Sequence, residues 1–116
     1  MKKTFLVILV LFCTNLWLNA IVINVPADYE TIQAGLDVAV EGDSVLVADG
    51  IYYENIDWPD VNGISLIGSS EENCIIDGNY LASVIRFEED LEGIIDTTTL
   101  IAGFTIQNGR AYGDDV

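Results

Sequence analysis

Four apolar tetrads recur at a constant interval of twenty residues: Ser44-Val45-Leu46-Val47, Ile64-Ser65-Leu66-Ile67, Val84-Ile85-Arg86-Phe87 and Phe104-Thr105-Ile106-Gln107. A unit of that length is too small to bury its own apolar face. Successive units must therefore stack into a shared core, and the chain grows in one dimension. The interval predicts an all-β architecture of stacked strand-and-turn coils, with a further repeat just begun where the 116 residues stop.

Residues 1–20 stand apart from this pattern. Lys2 and Lys3 precede an apolar run from Phe5 to Phe12, and Leu18-Asn19-Ala20 closes the segment. This is the layout of a secretory signal peptide cut after Ala20. An uncleaved membrane anchor is the alternative, but a span takes roughly 20 mostly apolar residues, and Thr14, Asn15 and Asn19 interrupt this one. A lipid anchor at Cys13 would need a small residue where Phe12 stands. The expected product is an exported chain, secreted or at the cell surface, that begins at Ile21 and has no membrane segment.

Cleavage would remove both lysines. The remaining 96 residues set Arg86 and Arg110 against nineteen carboxylates, a net charge of −17. Such a surface has no electrostatic footprint for phosphate backbones or anionic lipid, which argues against a nucleic-acid partner. It also repels polyuronates and sulfated glycans unless divalent cations intervene. Cys74 is left as the sole cysteine, so no internal disulfide can form despite an oxidising destination. It opens the run Cys74-Ile75-Ile76-Asp77-Gly78, with no histidine anywhere to activate it, and reads as a small core residue.

Val22 to Val25 alternate apolar and polar residues and stop at Pro26, which predicts a short edge strand. A single amphipathic helix follows, from about Asp28 to Val40. Asp28 is its candidate cap, Glu30 favours its first turn, Ile32, Leu36 and Ala39 form its apolar stripe, and Gly42 ends it. Gly35 costs this helix about 1 kcal/mol relative to alanine, so it depends on docking. The expected dock is the open end of the sheet stack, whose bare strand edges would otherwise invite aggregation. From there on the chain reads as strand and turn. Asn62-Gly63, Gly68-Ser69-Ser70, Asp77-Gly78-Asn79 and Asn108-Gly109 supply residues that accept positive φ at corners. The acidic segment Glu88 to Thr99 breaks the rhythm and reads as a loop outside the core. Short strands every 8 to 12 residues are also the signature of a β-sandwich. The helix placed ahead of the main strands and the constant tetrad spacing favour the stack.

The blocks Thr31-Ile32-Gln33-Ala34-Gly35-Leu36, Gly42-Asp43-Ser44-Val45-Leu46-Val47, Gly50-Ile51-Tyr52, Glu54-Asn55-Ile56, Ile64-Ser65-Leu66-Ile67-Gly68 and Gly103-Phe104-Thr105-Ile106-Gln107-Asn108 together resemble the N-terminal part of right-handed parallel β-helix proteins. Pectinesterases and other pectin-lyase-like proteins carry blocks in this order. The resemblance covers about Asp28 to Gly109 and implies a right-handed parallel β-helix, with residues 21–116 forming an N-terminal cap and first coils. In pectinesterase-like enzymes the catalytic carboxylates, glutamines and arginine lie on later coils, at positions with no counterpart here.

The residues therefore assign no catalytic, cofactor-binding or metal site. Asp77 and Asp49 precede glycines and read as turn residues that bind backbone amides. Glu88, Glu89, Asp90, Glu92 and Asp96 form the best candidate cation cluster, since Ca²⁺ takes 6 to 8 oxygen ligands, but their spacing matches no defined loop and a solvated charge run is the simpler reading. Tyr52, Tyr53, Trp58 and Tyr80 could stack on a sugar, with Trp58, beside Pro59, the one expected to be exposed. Core and corner packing is the simpler use. The expectation for the whole protein is binding or processing of extracellular, pectin-like polysaccharide. The alternative is a non-catalytic secreted or surface β-helix spacer or adhesin.

Overall fold

The computed structural model describes residues 19–88 and 94–111. All but Asn19 and Ala20 of the predicted leader, and Glu89, Asp90 and Glu92 of the acidic segment, lie outside the described residues. Among the described residues the structure is all-β apart from one short helix. Its elements are β1 (Val22–Val25), α1 (Ile32–Val38), β2 (Ser44–Val47), β3 (Gly50–Tyr53), β4 (Ile56–Asp57), β5 (Ser65–Gly68), β6 (Cys74–Asp77), β7 (Ile85–Arg86), β8 (Leu100–Ala102) and β9 (Thr105–Gln107).

Every strand pairing described is parallel. The first sheet runs β1-β2-β5-β8, the second β3-β6-β9 and the third β4-β7, and none closes on itself. From β2 onward the chain visits the three sheets in strict rotation: first, second, third, then first, second, third, then first and second again. Parallel neighbours need crossovers of a dozen or more residues; the crossover from β1 to β2 carries α1, and each later one passes through the other two sheets. A sandwich of antiparallel sheets is excluded by the pairing.

The register corrects the twenty-residue repeat. Val45 pairs with Leu66, an interval of 21, and Leu66 with Ile101, an interval of 35. The third and fourth tetrads do not continue this sheet: Ile85–Arg86 is a strand of the third sheet and Thr105–Gln107 of the second. Equal sequence spacing between similar apolar groups hid a path in which the tetrads belong to three different faces. The interval of 35 includes the segment Glu88 to Thr99, of which residues 89–93 lie outside the described residues, and Ile95 of that segment packs against the core rather than outside it.

Side chains alternate across each strand, and the inward set lines up across the first sheet. Ile23, Val45 and Leu66 share one register row and are buried, with Ile101 next to them half-buried. Each such burial contributes about 1.5–3 kcal/mol. In the second sheet Tyr52, Ile76 and Ile106 form the matching row. Ile76 is fully buried, whereas Ile106, on the last strand, is 48% exposed because no described strand stacks beyond it.

The helix is shorter than the sequence predicts and differently capped. Thr31 is the N-cap, its hydroxyl accepting from the Ala34 amide at 3.1 Å. Asp28 instead closes a turn behind β1, where its carboxylate accepts from the Asn24 amide at 2.7 Å. Glu30 lies ahead of the cap, and no acidic residue occupies the first turn. The helix stops at Val38 because Ala39 turns extended, well before Gly42. It packs against β1, β2 and β4. Gly35 makes that approach possible: a Cβ there would stand 3.1 Å from Val25 Cγ2 and 3.3 Å from Val45 Cγ1.

Candidate functional site

Two polar networks hold the coils together. The first joins α1 to the third sheet. The Gln33 side-chain amide donates to the Asp57 carbonyl at 2.9 Å and accepts from the Asp57 amide at 2.8 Å. Its side chain thus takes the place of a neighbouring strand on the bare edge of β4. Glu54, just past β3, accepts from the Ile32 and Gln33 amides, supplying from another element the acid that the helix lacks in its first turn. Arg86 bridges Asp57 at 3.0 Å and Glu88 at 2.6 Å on an exposed surface, where such pairs contribute about 0–1 kcal/mol.

The second network occupies the corner after β6 and β9. Asp77 shares its register row with Tyr53 and Gln107 and is only 7% exposed. Its carboxylate accepts from the Asn79 amide at 2.8 Å, from Asn108 Nδ2 at 2.9 Å and from Gln107 Nε2 at 3.2 Å. The Asn79 amide bond, aided by the two side-chain amides, holds the Asp77 carboxyl below the usual carboxylate range. Beside it, Asn55 Nδ2 donates to the carbonyls of Gly78, Ala82 and Ser83 at 3.1–3.3 Å. Asn79, Tyr80 and Asn108 adopt positive φ here, a conformation asparagine tolerates better than most residues.

The remaining candidates are placed apart from one another. Asp49 accepts a hydrogen bond from the Ser69 hydroxyl, tying the end of β2 to the end of β5. Cys74 is fully buried. Burial pushes its thiol pKa up, and its Sγ faces the Ala48 carbonyl at 3.4 Å, which makes it a poor nucleophile. Of the acidic segment, Glu88 is engaged with Arg86, while Asp96 accepts from the Thr98 hydroxyl at 2.6 Å and from its amide at 2.8 Å. Those bonds hold the Asp96 carboxyl below its ordinary range. Among the described residues no group of three or more His, Cys, Asp or Glu side chains is placed to hold a metal ion.

The aromatic set divides. Trp58 is 2% exposed and stacks on Phe87, ring centroids 5.2 Å apart at 26°. The expectation that it projects into solvent is wrong, because the following coil brings Phe87 over its ring. Tyr52 packs against the core with its hydroxyl donating to the Ala48 carbonyl at 2.9 Å. Tyr53 and Tyr80 are exposed. A shallow groove of about 310 Å³ crosses the outer face of the first sheet, its floor formed by Asn24, Leu46 and Ile67 and its side by the Gly68–Ser69 bend.

Chemically, this arrangement positions backbone rather than substrate. The carboxylates and amides named above are committed to main-chain groups and to other side chains of the scaffold, and the two hydroxyls set beside a carboxylate, Ser69 on Asp49 and Thr98 on Asp96, belong to such contacts. Sequence reasoning did not assign Glu54, Gln33 or Asn55, although all three fall inside the blocks that carry the β-helix resemblance. No helix among the described residues is long and apolar enough to cross a membrane. Compared with known protein families, curated proteins and solved structures, the chain matches none.

Proposed function

We propose that residues 21–116 are the helical cap and first coils of a right-handed parallel β-helix, exported behind a cleaved leader, in a protein that binds or processes extracellular pectin-like polysaccharide. The observation that carries this reading is the strict rotation of the chain through three parallel sheets, with each coil in register on the one before. The half-exposed Ile106 on β9, the half-buried Ile101 on β8 and the half-buried Phe104 between them support continuation of the stack, since inward apolar residues call for a further coil above them. A parallel stack presents a long flat face suited to a linear polymer, and the link to carbohydrate rests on that analogy.

A second reading, a non-catalytic spacer or adhesin, is favoured by one observation: Asp77, Glu54 and Gln33 are all committed to the scaffold. The test is to incubate the exported protein with polygalacturonate and with its methyl ester, with and without Ca²⁺. Retention on the polymer, methanol release and unsaturated product are each followed. Retention or turnover supports the polysaccharide reading. Absence of all three under every condition refutes it in favour of the spacer.

A further inference from the structure

Asp43 is the most buried acidic residue among those described, at 1% exposed. Its Oδ1 accepts from the Ile21 amide and its Oδ2 from the Val40 amide, both at 2.9 Å. Both donors are neutral. Taking a carboxylate out of water is costly, and a cation at hydrogen-bond distance offsets that cost better than an amide does. Ile21 is also fixed on its other side, where its carbonyl accepts from the Ser44 amide at 3.0 Å. Ile21 is the residue that cleavage after Ala20 would leave at the N-terminus.

We infer that leader removal turns the amide donor at Ile21 into a cation, and that the new α-ammonium becomes the ion-pair partner of buried Asp43. The inference rests on the reading of residues 1–20 as a leader cut after Ala20. In the step itself, an export peptidase adds one water across the Ala20–Ile21 amide. Ala20 departs as a carboxylate, and the proton released by that acid is taken up by the Ile21 amine. The nitrogen already points at Asp43 Oδ1, so it gains charge and two further protons without the chain having to move. Processing and completion of the cap become one event: the uncut chain offers Asp43 an amide, the cut chain an ammonium.

The sequence supplies a clean readout. Residues 21–116 contain no lysine, so the Ile21 amine is their one primary amine. The full chain is produced in a secreting bacterial host, and the exported product is identified by mass. It is then treated with an amine-specific acylating reagent at neutral pH, folded and in urea. Only the free base reacts, and an ion-paired ammonium keeps its proton, so acylation of the folded chain is expected to be at least about tenfold slower. Asp43→Asn, if folded, restores the fast rate. Should that variant not fold, the parent chain acetylated at Ile21 while unfolded and then refolded is compared instead, and its urea midpoint is expected to fall. Equal rates in folded and unfolded chain overturn the ion pair, as does a folded Asp43→Asn variant that reacts as slowly as the parent, or an unchanged midpoint after acetylation. An exported product that does not begin at Ile21 overturns the leader boundary, and the inference with it.

Discussion

Glu54 caps the helix from outside it: Oε2 accepts from the Ile32 amide at 2.9 Å and Oε1 from the Gln33 amide at 3.0 Å, across 22 and 21 residues of sequence. These are two of the four amides that a helix N-terminus leaves without internal partners. Their satisfaction locks α1 to the end of β3. Replacing Glu54 with Ala strands both amides and is expected to cost about 1–2 kcal/mol. Glu54→Gln keeps one acceptor and is expected to lose about half as much. Urea unfolding measures both, and an Ala variant as stable as the parent would show that the cap contributes nothing.

Gly68 and Gly103 stack so closely that a Cβ on either would overlap the carbonyl oxygen of the other. The obstacle is backbone, which cannot rotate away. Gly68→Ala is expected to destabilise by about 3 kcal/mol, at the upper end of overpacking costs, and to open the β5–β8 pairing first. Gly35→Ala is the control. It meets only side-chain methyls, of Val25 at 3.1 Å, Val45 at 3.3 Å and Ile23 at 3.5 Å, and the helix gains about 1 kcal/mol from losing a glycine, so its net effect is expected to stay under about 1 kcal/mol. Thermal melts of the two variants should separate clearly, and equal melting points would refute the stacked-glycine constraint.

The stacking principle was legible in the sequence, but its register was not. Ser44-Val47 and Ile64-Ile67 share a sheet, yet the true partner of Ser44 is Ser65. The apolar tetrad begins one residue early because Ile64 is buried just ahead of the strand. Helix existence was legible from Ile32, Leu36 and the residues around them. Its cap was not, because Asp28 is in isolation the better capping residue of the two, and only the turn that Asp28 makes with Asn24 hands the cap to Thr31. Glu54, Gln33 and Asp43 act across roughly twenty residues of chain, where no local pattern announces the partner. Turn residues such as Asp77 were legible because their chemistry is local: Asp77 binds the amide two residues on.

Acid should weaken the corner that Asp77 holds. Its folded pKa lies below the ordinary value of about 3.9, chiefly through the Asn79 amide. The folded state therefore binds fewer protons than the unfolded state, and stability rises with pH through this range. The contribution is complete above the unfolded pKa and disappears as pH falls through the folded one. Asp96, also lowered, acts with the same sign. The groups whose pKa is raised, Cys74 and Tyr52, titrate in alkali and add nothing to the acid limb. Asp77→Asn should flatten part of the acid limb of the urea midpoint against pH, leaving the share due to Asp96. An unchanged acid limb would refute the role assigned to Asp77.

Trp58 offers an optical report on whether one coil covers the next. Its ring is buried under Phe87, which itself is partly exposed on the following coil. Trp17 would leave with the leader, so Trp58 is the one tryptophan of residues 21–116. Its emission in the folded chain is expected to be blue-shifted and shielded from iodide, and to become red and quenchable in urea. Phe87→Ala removes the stacked ring at a cost of about 1 kcal/mol and opens the indole to solvent while the rest of the core stays packed. The variant should therefore show quenching close to that of unfolded chain at urea concentrations where its far-ultraviolet dichroism is still native. If quenching instead stays at the parent level until global unfolding, the cover over Trp58 comes from elsewhere and the contact between these two coils is not the one described.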